Sequence, residues 1–294
     1  MSKELLAYVN GQYLPQSQAS LPIMDRGLLF GDSVYEVIPA YGGIPFRVEH
    51  HLRRLDRSLN AIRVRNPLST EAWHAVFDRL SAQLQGQDQS IYLQVTRGDS
   101  PVRNHVIPAG IEPNVVAFTA PLPPRDTARV LQGIRVITLD DIRWHRCDIK
   151  ATTLLANVMA RAKATDEGAD EAILVRDGMA MEGTASNLFV VSNGLLITPP
   201  DSDELLPGIT RDLVLELAAD DGIPYAQATI DAAELAHAEE IWLTSSTREV
   251  AAVVALNGQQ VGDGTPGPLW RRMDALYQAC KERLRLGGEC RDDG

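Results

Sequence analysis

Residues 120–126, Ala-Pro-Leu-Pro-Pro-Arg-Asp, constrain this chain more than any other stretch. Pro121, Pro123 and Pro124 lack a backbone donor and have a fixed φ, so the segment can continue neither a strand ladder nor a helix. It reads as a linker between an N-terminal domain over residues 1–119 and a C-terminal domain over 127–294. At 294 residues and 45% hydrophobic composition, the chain can bury a sizeable core.

Both parts mix hairpins with helices. "LAYVNGQYL" predicts a hairpin around Asn10-Gly11, and "SVYEVIPAYGGIPFRV" predicts two strands around Gly42-Gly43. Leu52, Leu55, Leu59 and Ile62 recur at spacings of three and four, which predicts a helix, and residues 69–85 repeat the pattern. "SIYLQVTR" and "NVVAFTA" return to strand character. Beyond the linker the expectation is a strand at 133–139, a helix over 151–167, and strands at "EAILVRDG" and "NLFVVSNGLLIT". A helix should open at 209, strands follow near 239–244 and 249–261, and a last helix covers 268–286. The fold class is α+β or mixed α/β.

The net charge of −11 is spread without a block of like charges, and the arginines are scattered. This argues against a nucleic-acid surface or an anionic membrane as partner and makes small molecules the expectation. "MSKELLAYVNG" lacks a signal-peptide apolar run, and no stretch approaches the roughly 20 apolar residues of a membrane span, so a cytoplasmic protein is expected. Cys147, Cys280 and Cys290 are odd in number and form no C-x-x-C pair, so they suggest neither a disulfide framework nor a zinc site, with a Cys280–Cys290 bridge the less expected alternative. His50 and His51 are adjacent and cannot share one helical face, so they suggest no metal site either.

Only four lysines stand against twenty-four arginines. Lys3, Lys163 and Lys281 have the context of exposed positions, whereas Lys150 sits in "WHRCDIKATTLLANV", at the seam between an extended run and a helix. Desolvation there would lower its pKa and free the amine as a nucleophile for an aldehyde; a buried structural lysine paired with Asp148 explains the position equally. Glu182, in "MAMEGTASNLFVV", is a carboxylate able to keep a proton on a heterocyclic nitrogen, or a solvated turn residue.

In "LLPGITRDLVLELA", the N–H groups of Gly208 and Ile209 and the Thr210 hydroxyl make an anion site, although many helices begin this way. Ser245, Ser246 and Thr247 in "LTSSTREV" could ligate a phosphate or end a strand in a turn. Arg53 and Arg54 follow "FRVEHH" on a helix, where a lone arginine is usually solvated. Arg103 and His105, one residue apart in "VTRGDSPVRNHVIP", would point the same way in an extended loop and suit a carboxylate, or lie on a surface loop.

The ordered set "DRGLLFGDSVYEV", "RVEHHLRRL", "QVTRG…RNH", "DIRWHRCDIK", "EGTASN", "GITRD" and "TSSTREV" resembles the fold-type IV pyridoxal-phosphate-dependent aminotransferases, most closely the D-amino-acid aminotransferases. The resemblance implies a small N-terminal α/β sandwich and a larger C-terminal pseudo-barrel, assembled as a homodimer with shared active sites. It also implies pyridoxal 5′-phosphate as cofactor, with D-amino acids and 2-oxo acids as substrates. Lys150 then matches the lysine that carries the cofactor and moves the substrate proton, and Glu182 the carboxylate at the pyridine nitrogen. Arg54, Ile209, Thr210 and Ser246 match the phosphate site, and Leu206 the residue packing on the ring. Tyr35, with Arg103 and His105 from the other subunit, matches the set holding the substrate α-carboxylate.

Three positions depart from the family pattern: Val102 is an extra residue between Gly98 and Arg103, Ala185 replaces a usual serine, and Arg248 brings a charge beside the phosphate turn. Within the same fold, a 4-amino-4-deoxychorismate lyase or an L-branched-chain or (R)-amine aminotransferase is the alternative. A non-catalytic pyridoxal-phosphate-binding protein is the alternative of a different class.

Overall fold

Period-two alternation and tight turns build the first part of the molecule. A computed structural model describes residues 4–290 and divides the chain into two units. The first takes the chain up to Pro124, together with Ile149–Thr153 and Leu284–Gly288. The second takes Arg125–Asp148, Leu154–Arg283 and, of the described residues after these, Glu289 and Cys290. Lys3 lies outside the described residues.

In the first unit, β1 (Leu6–Val9), β2 (Gln12–Pro15), β3 (Ser33–Tyr41), β4 (Ile44–Pro45), β5 (Gln89–Thr96) and β6 (Asn114–Pro121) form an antiparallel sheet in the order β2-β1-β6-β5-β3-β4. β4 is shorter than expected because Arg47 adopts a left-handed φ of 52° and turns the chain into a helix at Val48; β6, conversely, runs two residues into the expected linker, with Ala120 opposite Ser90 and Pro121 opposite Gln89, because a proline is tolerated as the last residue of a strand. Val34 and Ile38 on β3 join Ile91, Leu93 and Val95 on β5 in one core. Helix α2 (Val48–Ala61) adds Leu52, Leu55 and Leu59 to it, and α3 (Thr70–Ser81) adds Trp73, Phe77 and Leu80. Trp73 and Phe77, one helical turn apart, stack at 5.7 Å. Burying an aromatic of this size contributes about 1.5–3 kcal/mol.

A short helix that periodicity does not reveal, α1 (Arg26–Phe30), precedes β3; five residues are too few for an apolar stripe. Asp25 caps it, accepting the N–H groups of Gly27 and Leu28 at 2.8 and 3.3 Å.

The second unit is built on β7 (Ile134–Asp140), β8 (Glu171–Arg176), β9 (Met179–Gly183), β10 (Asn187–Ser192), β11 (Leu195–Thr198), β12 (Tyr225–Gln227), β13 (Ile230–Asp231), β14 (Glu240–Ser245), β15 (Glu249–Leu256) and β16 (Gln259–Gln260). They run in the order β12-β11-β10-β14-β15-β7-β8-β9-β13, with β16 on β15. An additional β9–β10 pairing, Glu182 opposite Asn187, closes β10, β14, β15, β7, β8 and β9 into a ring. Val136, Ile173, Leu188, Val190, Ile241, Leu243 and Val253 fill a core of this ring. This is the barrel of the expected fold, mixed because β15–β7 and β7–β8 are parallel and the other ring pairs antiparallel.

Strand direction gathers the Ser245–Glu249 turn, the start of β8, the end of β9 and the start of β10 at one end of the ring. Helices α4 (Thr127–Gln132), α5 (Leu155–Asp166), α6 (Ile209–Asp220) and α7 (Pro268–Arg285) complete the elements named here. α5 begins four residues later than expected, because Ile149–Thr153 runs beside β3 instead, with Ala151 bridged to Val34.

Cysteine spacing does not suggest a disulfide, yet Cys280 and Cys290 are bonded to each other, while Cys147 is free and buried. Among the described residues no helix is long and apolar enough to cross a membrane, and no cluster of three or more His, Cys, Asp or Glu side chains could hold a metal ion.

Candidate active site

Lys150 is held by its backbone on both sides. Its carbonyl accepts the Tyr35 N–H at 3.0 Å, and its N–H donates to Ser58 Oγ at 3.2 Å, so the residue is fixed against β3 and α2. The side chain is half-buried, and Nζ lies 4.4 Å from the centroid of the Tyr35 ring. The alternative partner, Asp148, accepts from Arg146 at 2.9 Å.

Arg54 is not a solvated helix arginine. It is buried on α2, and its guanidinium meets the Glu36 carboxylate through Nε at 2.8 Å and Nη2 at 2.7 Å. His51 Nδ1 lies 2.7 Å from the same carboxylate. Burial would raise the Glu36 carboxyl, but Arg54 and His51 outweigh it and hold the group well below the usual carboxylate range. Burial pushes the His51 imidazole below its ordinary value, against the pull of Glu36. Neither Glu36 nor His51 was among the expected site residues. The available signal was an acid at the middle of the Val34, Glu36, Ile38 alternation, where only apolar side chains fit without a partner.

Arg103 and His105 gather on α1. Arg103 lies 5.0 Å from the Phe30 ring centroid, and the His105 ring is 5.1 Å from it. Arg26, buried at the start of α1, braces their backbone by donating to the carbonyls of Asn104 at 2.6 Å and His105 at 3.3 Å, and it pairs with Asp32 at 2.9 Å. Both loop side chains are exposed, as are Val102, Val106 and Ile107 around them.

In the second unit Glu182 is buried at the end of β9, not on a solvated turn. Arg143 pairs with one of its oxygens at 2.5 Å, Asn187 Nδ2 donates at 3.1 Å, and the Leu206 N–H reaches it at 3.2 Å. Arg143 in turn makes two 2.8 Å bonds to the buried Asp141, which also pairs with Arg176 at 2.9 Å. Burial raises the Glu182 carboxyl above its ordinary value, with Arg143 opposing. The sequence reading does not single out Arg143, Asp141 and Asn187: Arg143 meets Glu182 only across 39 positions, and the local pairs Asp141–Arg143 and Asn187–Glu182 carry no motif of their own.

Leu206 is half-buried, and its carbonyl accepts Asn187 Nδ2 at 2.7 Å. Gly208 leaves no room for a side chain: an added Cβ would stand 1.8 Å from Asn187 Oδ1. Gly208→Ala is therefore expected to displace Asn187 and cost about 1–3 kcal/mol, read as a lower urea midpoint at unchanged m-value. Ile209 and Thr210 are buried in the first turn of α6, whose Gly208 cap contributes no side-chain bond. Ser246 is half-buried in the turn between β14 and β15, which the Arg248 N–H ties to Ser245 Oγ at 3.3 Å.

Two hydroxyls near this end of the ring, Ser186 Oγ and Thr244 Oγ1, are buried without a hydrogen-bond partner among the described residues. Ala185 is exposed, and Arg248 is directed to Glu171 at 3.2 Å.

The family model described as Amino-transferase class IV matches residues 33–256. A D-alanine aminotransferase from Bacillus licheniformis is 40% identical over 269 residues, covering 92% of this chain and 94% of that protein. One from Staphylococcus haemolyticus is 37% identical over 267 residues, covering 90% and 94%. A branched-chain aminotransferase from the archaeon Thermoproteus uzoniensis, solved with norvaline, superposes with a TM-score of 0.87 at 27% identity, covering 97% of this chain and 98% of that one.

Proposed function

The chain belongs to the class IV amino-transferases, and on that premise we propose that it moves the amino group of a D-amino acid such as D-alanine to a 2-oxo acid such as 2-oxoglutarate, by a ping-pong mechanism. Identity near 40% to D-alanine aminotransferases supports the D-amino-acid reading. The observation that carries it is the braced pair Arg103 and His105 on the Phe30 ring, two donors suited to an α-carboxylate.

Pyridoxal 5′-phosphate fits the side chains present. A half-buried lysine amine, a buried carboxyl raised by burial, a helix start without a side-chain cap and two unpartnered buried hydroxyls suit an aldehyde, a ring nitrogen and a phosphate. When bound, this cofactor supplies a carbonyl that takes up the amino group and a ring that accepts electrons released at Cα.

Lys150 Nζ would hold that carbonyl and, as a free amine, would take the proton from the substrate Cα. Glu182, fixed by Arg143 and Asn187, keeps the ring nitrogen protonated. Arg54, the Ile209 N–H, Thr210 and Ser246 bind the phosphate, with Leu206 against the ring. Tyr35, Arg103 and His105 orient the carboxylate, and because Lys150 works on one face, this orientation selects the enantiomer.

The same proposal makes the protein a cytoplasmic homodimer. Exposed Val102, Val106 and Ile107 around Arg103 and His105, and exposed Leu155, Val158 and Met159 on α5, are apolar surface of the kind a second copy covers.

Mixing the pyridoxal form with D-alanine and, separately, with L-alanine tests the reading. Conversion to the pyridoxamine form is expected at least about 10²-fold faster with D-alanine. Faster conversion with L-alanine or a branched L-amino acid would overturn D-specificity. Pyruvate released from 4-amino-4-deoxychorismate without a keto-acid acceptor would assign a lyase instead.

A further inference from the structure

Lys281 is a lysine that the mechanism above does not use, and it is not the exposed helix residue its local sequence suggests: only 2% of it is exposed. It stands on the buried face of α7, one turn after Tyr277, and its Nζ pairs with the Glu249 carboxylate. Gln278 Nε2 donates to that carboxylate at 2.7 Å and Arg125 Nη1 at 2.9 Å. Arg125 is itself held by Asp274 through bonds of 2.8 and 2.7 Å. Two cations therefore face two anions, and Glu249 is tied to α7 directly by Lys281 and Gln278 and indirectly by Arg125 through Asp274.

The backbone of Glu249 gives this clamp a purpose. Its φ is +62°, in the left-handed region, where a side chain with a Cβ is unfavourable. Asn10, Asp177, Asn193 and Asn257 also have positive φ, but each precedes a glycine in a tight turn and is a residue type suited to that region, while Arg47 and Arg63, the other such residues described, flank the two ends of α2. Glu249 instead closes a three-residue connection, residues 246–248, paired across the hairpin with Ser245. Hairpins of this length usually place glycine at the left-handed position. Such a conformation persists in a glutamate only where the surroundings over-determine it, and here they do so through its carboxylate. The turn it closes carries Ser245, Ser246 and Thr247.

We propose that Glu249, clamped by Lys281, Gln278 and Arg125, is a positioning residue that holds the Ser245–Arg248 turn in the shape that binds the cofactor phosphate, so that α7 sets cofactor affinity. This rests on the reading that the turn receives the phosphate of pyridoxal phosphate.

The apo forms of wild type, Lys281→Met and Glu249→Gln are titrated with pyridoxal phosphate and with pyridoxal, which lacks the phosphate, and their thermal midpoints are recorded alongside. Each variant is expected to bind pyridoxal phosphate about ten-fold more weakly while binding pyridoxal as wild type does. The double variant should lose little more than either single one, because both act through one clamp. Unchanged pyridoxal-phosphate affinity, or an equal loss for pyridoxal, would overturn the proposal and leave the cluster a stabilising contact alone. A variant that does not fold leaves the other to decide, since each removes a different partner. If wild type itself does not take up pyridoxal phosphate, the functional reading fails instead, a result separate from either variant outcome.

Discussion

Lys150→Ala is expected to yield a folded protein that has lost transamination by at least about 10³-fold in kcat, together with the long-wavelength absorption of lysine-bound pyridoxal phosphate. The fold should survive because this segment is anchored by its backbone: the carbonyl to Tyr35, the N–H to Ser58, and Ala151 bridged to Val34. Alanine keeps all of these contacts. The substitution removes the ammonium 4.4 Å from the Tyr35 ring, a contact worth about 0.5–2 kcal/mol. A denaturation midpoint lowered by no more than the loss of that contact, together with abolished activity, therefore separates a catalytic lysine from a structural one. Full activity and unchanged absorption in the variant would remove Lys150 from the mechanism.

Local patterning carried the regular elements and failed at long-range pairs. Leu52, Leu55 and Leu59 marked α2 by spacing alone, and Asn10-Gly11 marked its hairpin, because both signals arise from residues that are neighbours in sequence. Glu182 was visible as a candidate but not as a buried residue, since its burial depends on β9 meeting β10 and on Arg143, 39 residues away. Arg54 was read from its motif, whereas its partner Glu36 was not: the pair joins β3 to α2 across 18 positions.

Lys281 shows the same limit in reverse. Charge and helix context indicated exposure, yet its place four residues after the buried Tyr277 put it on the packed face, and Glu249 makes that burial tolerable. Two-residue strands such as β13 and the five-residue α1 are too short to carry a period.

Glu36→Ala is expected to destabilise the first unit by about 3–5 kcal/mol, because it leaves the buried Arg54 guanidinium without the carboxylate that takes two of its donors. The pH dependence of stability should change with it. Glu36 has a depressed pKa in the folded protein, so its contribution is complete above the unfolded glutamate pKa of about 4.3 and disappears as pH falls through the folded value. His51, also depressed, adds a loss of the same sign as pH falls below about 6.5. Wild type should therefore weaken in both windows, and the variant should lack the lower one.

Added pyridoxal phosphate then separates the ion pair from the binding role of Arg54. If Arg54 receives the phosphate, the cofactor supplies an anion in place of the lost Glu36 carboxylate, and it should raise the urea midpoint of Glu36→Ala by more than it raises that of wild type. An equal increment in the two proteins would leave Arg54 a structural partner of Glu36 and move the phosphate site onto Ile209, Thr210 and Ser246 alone.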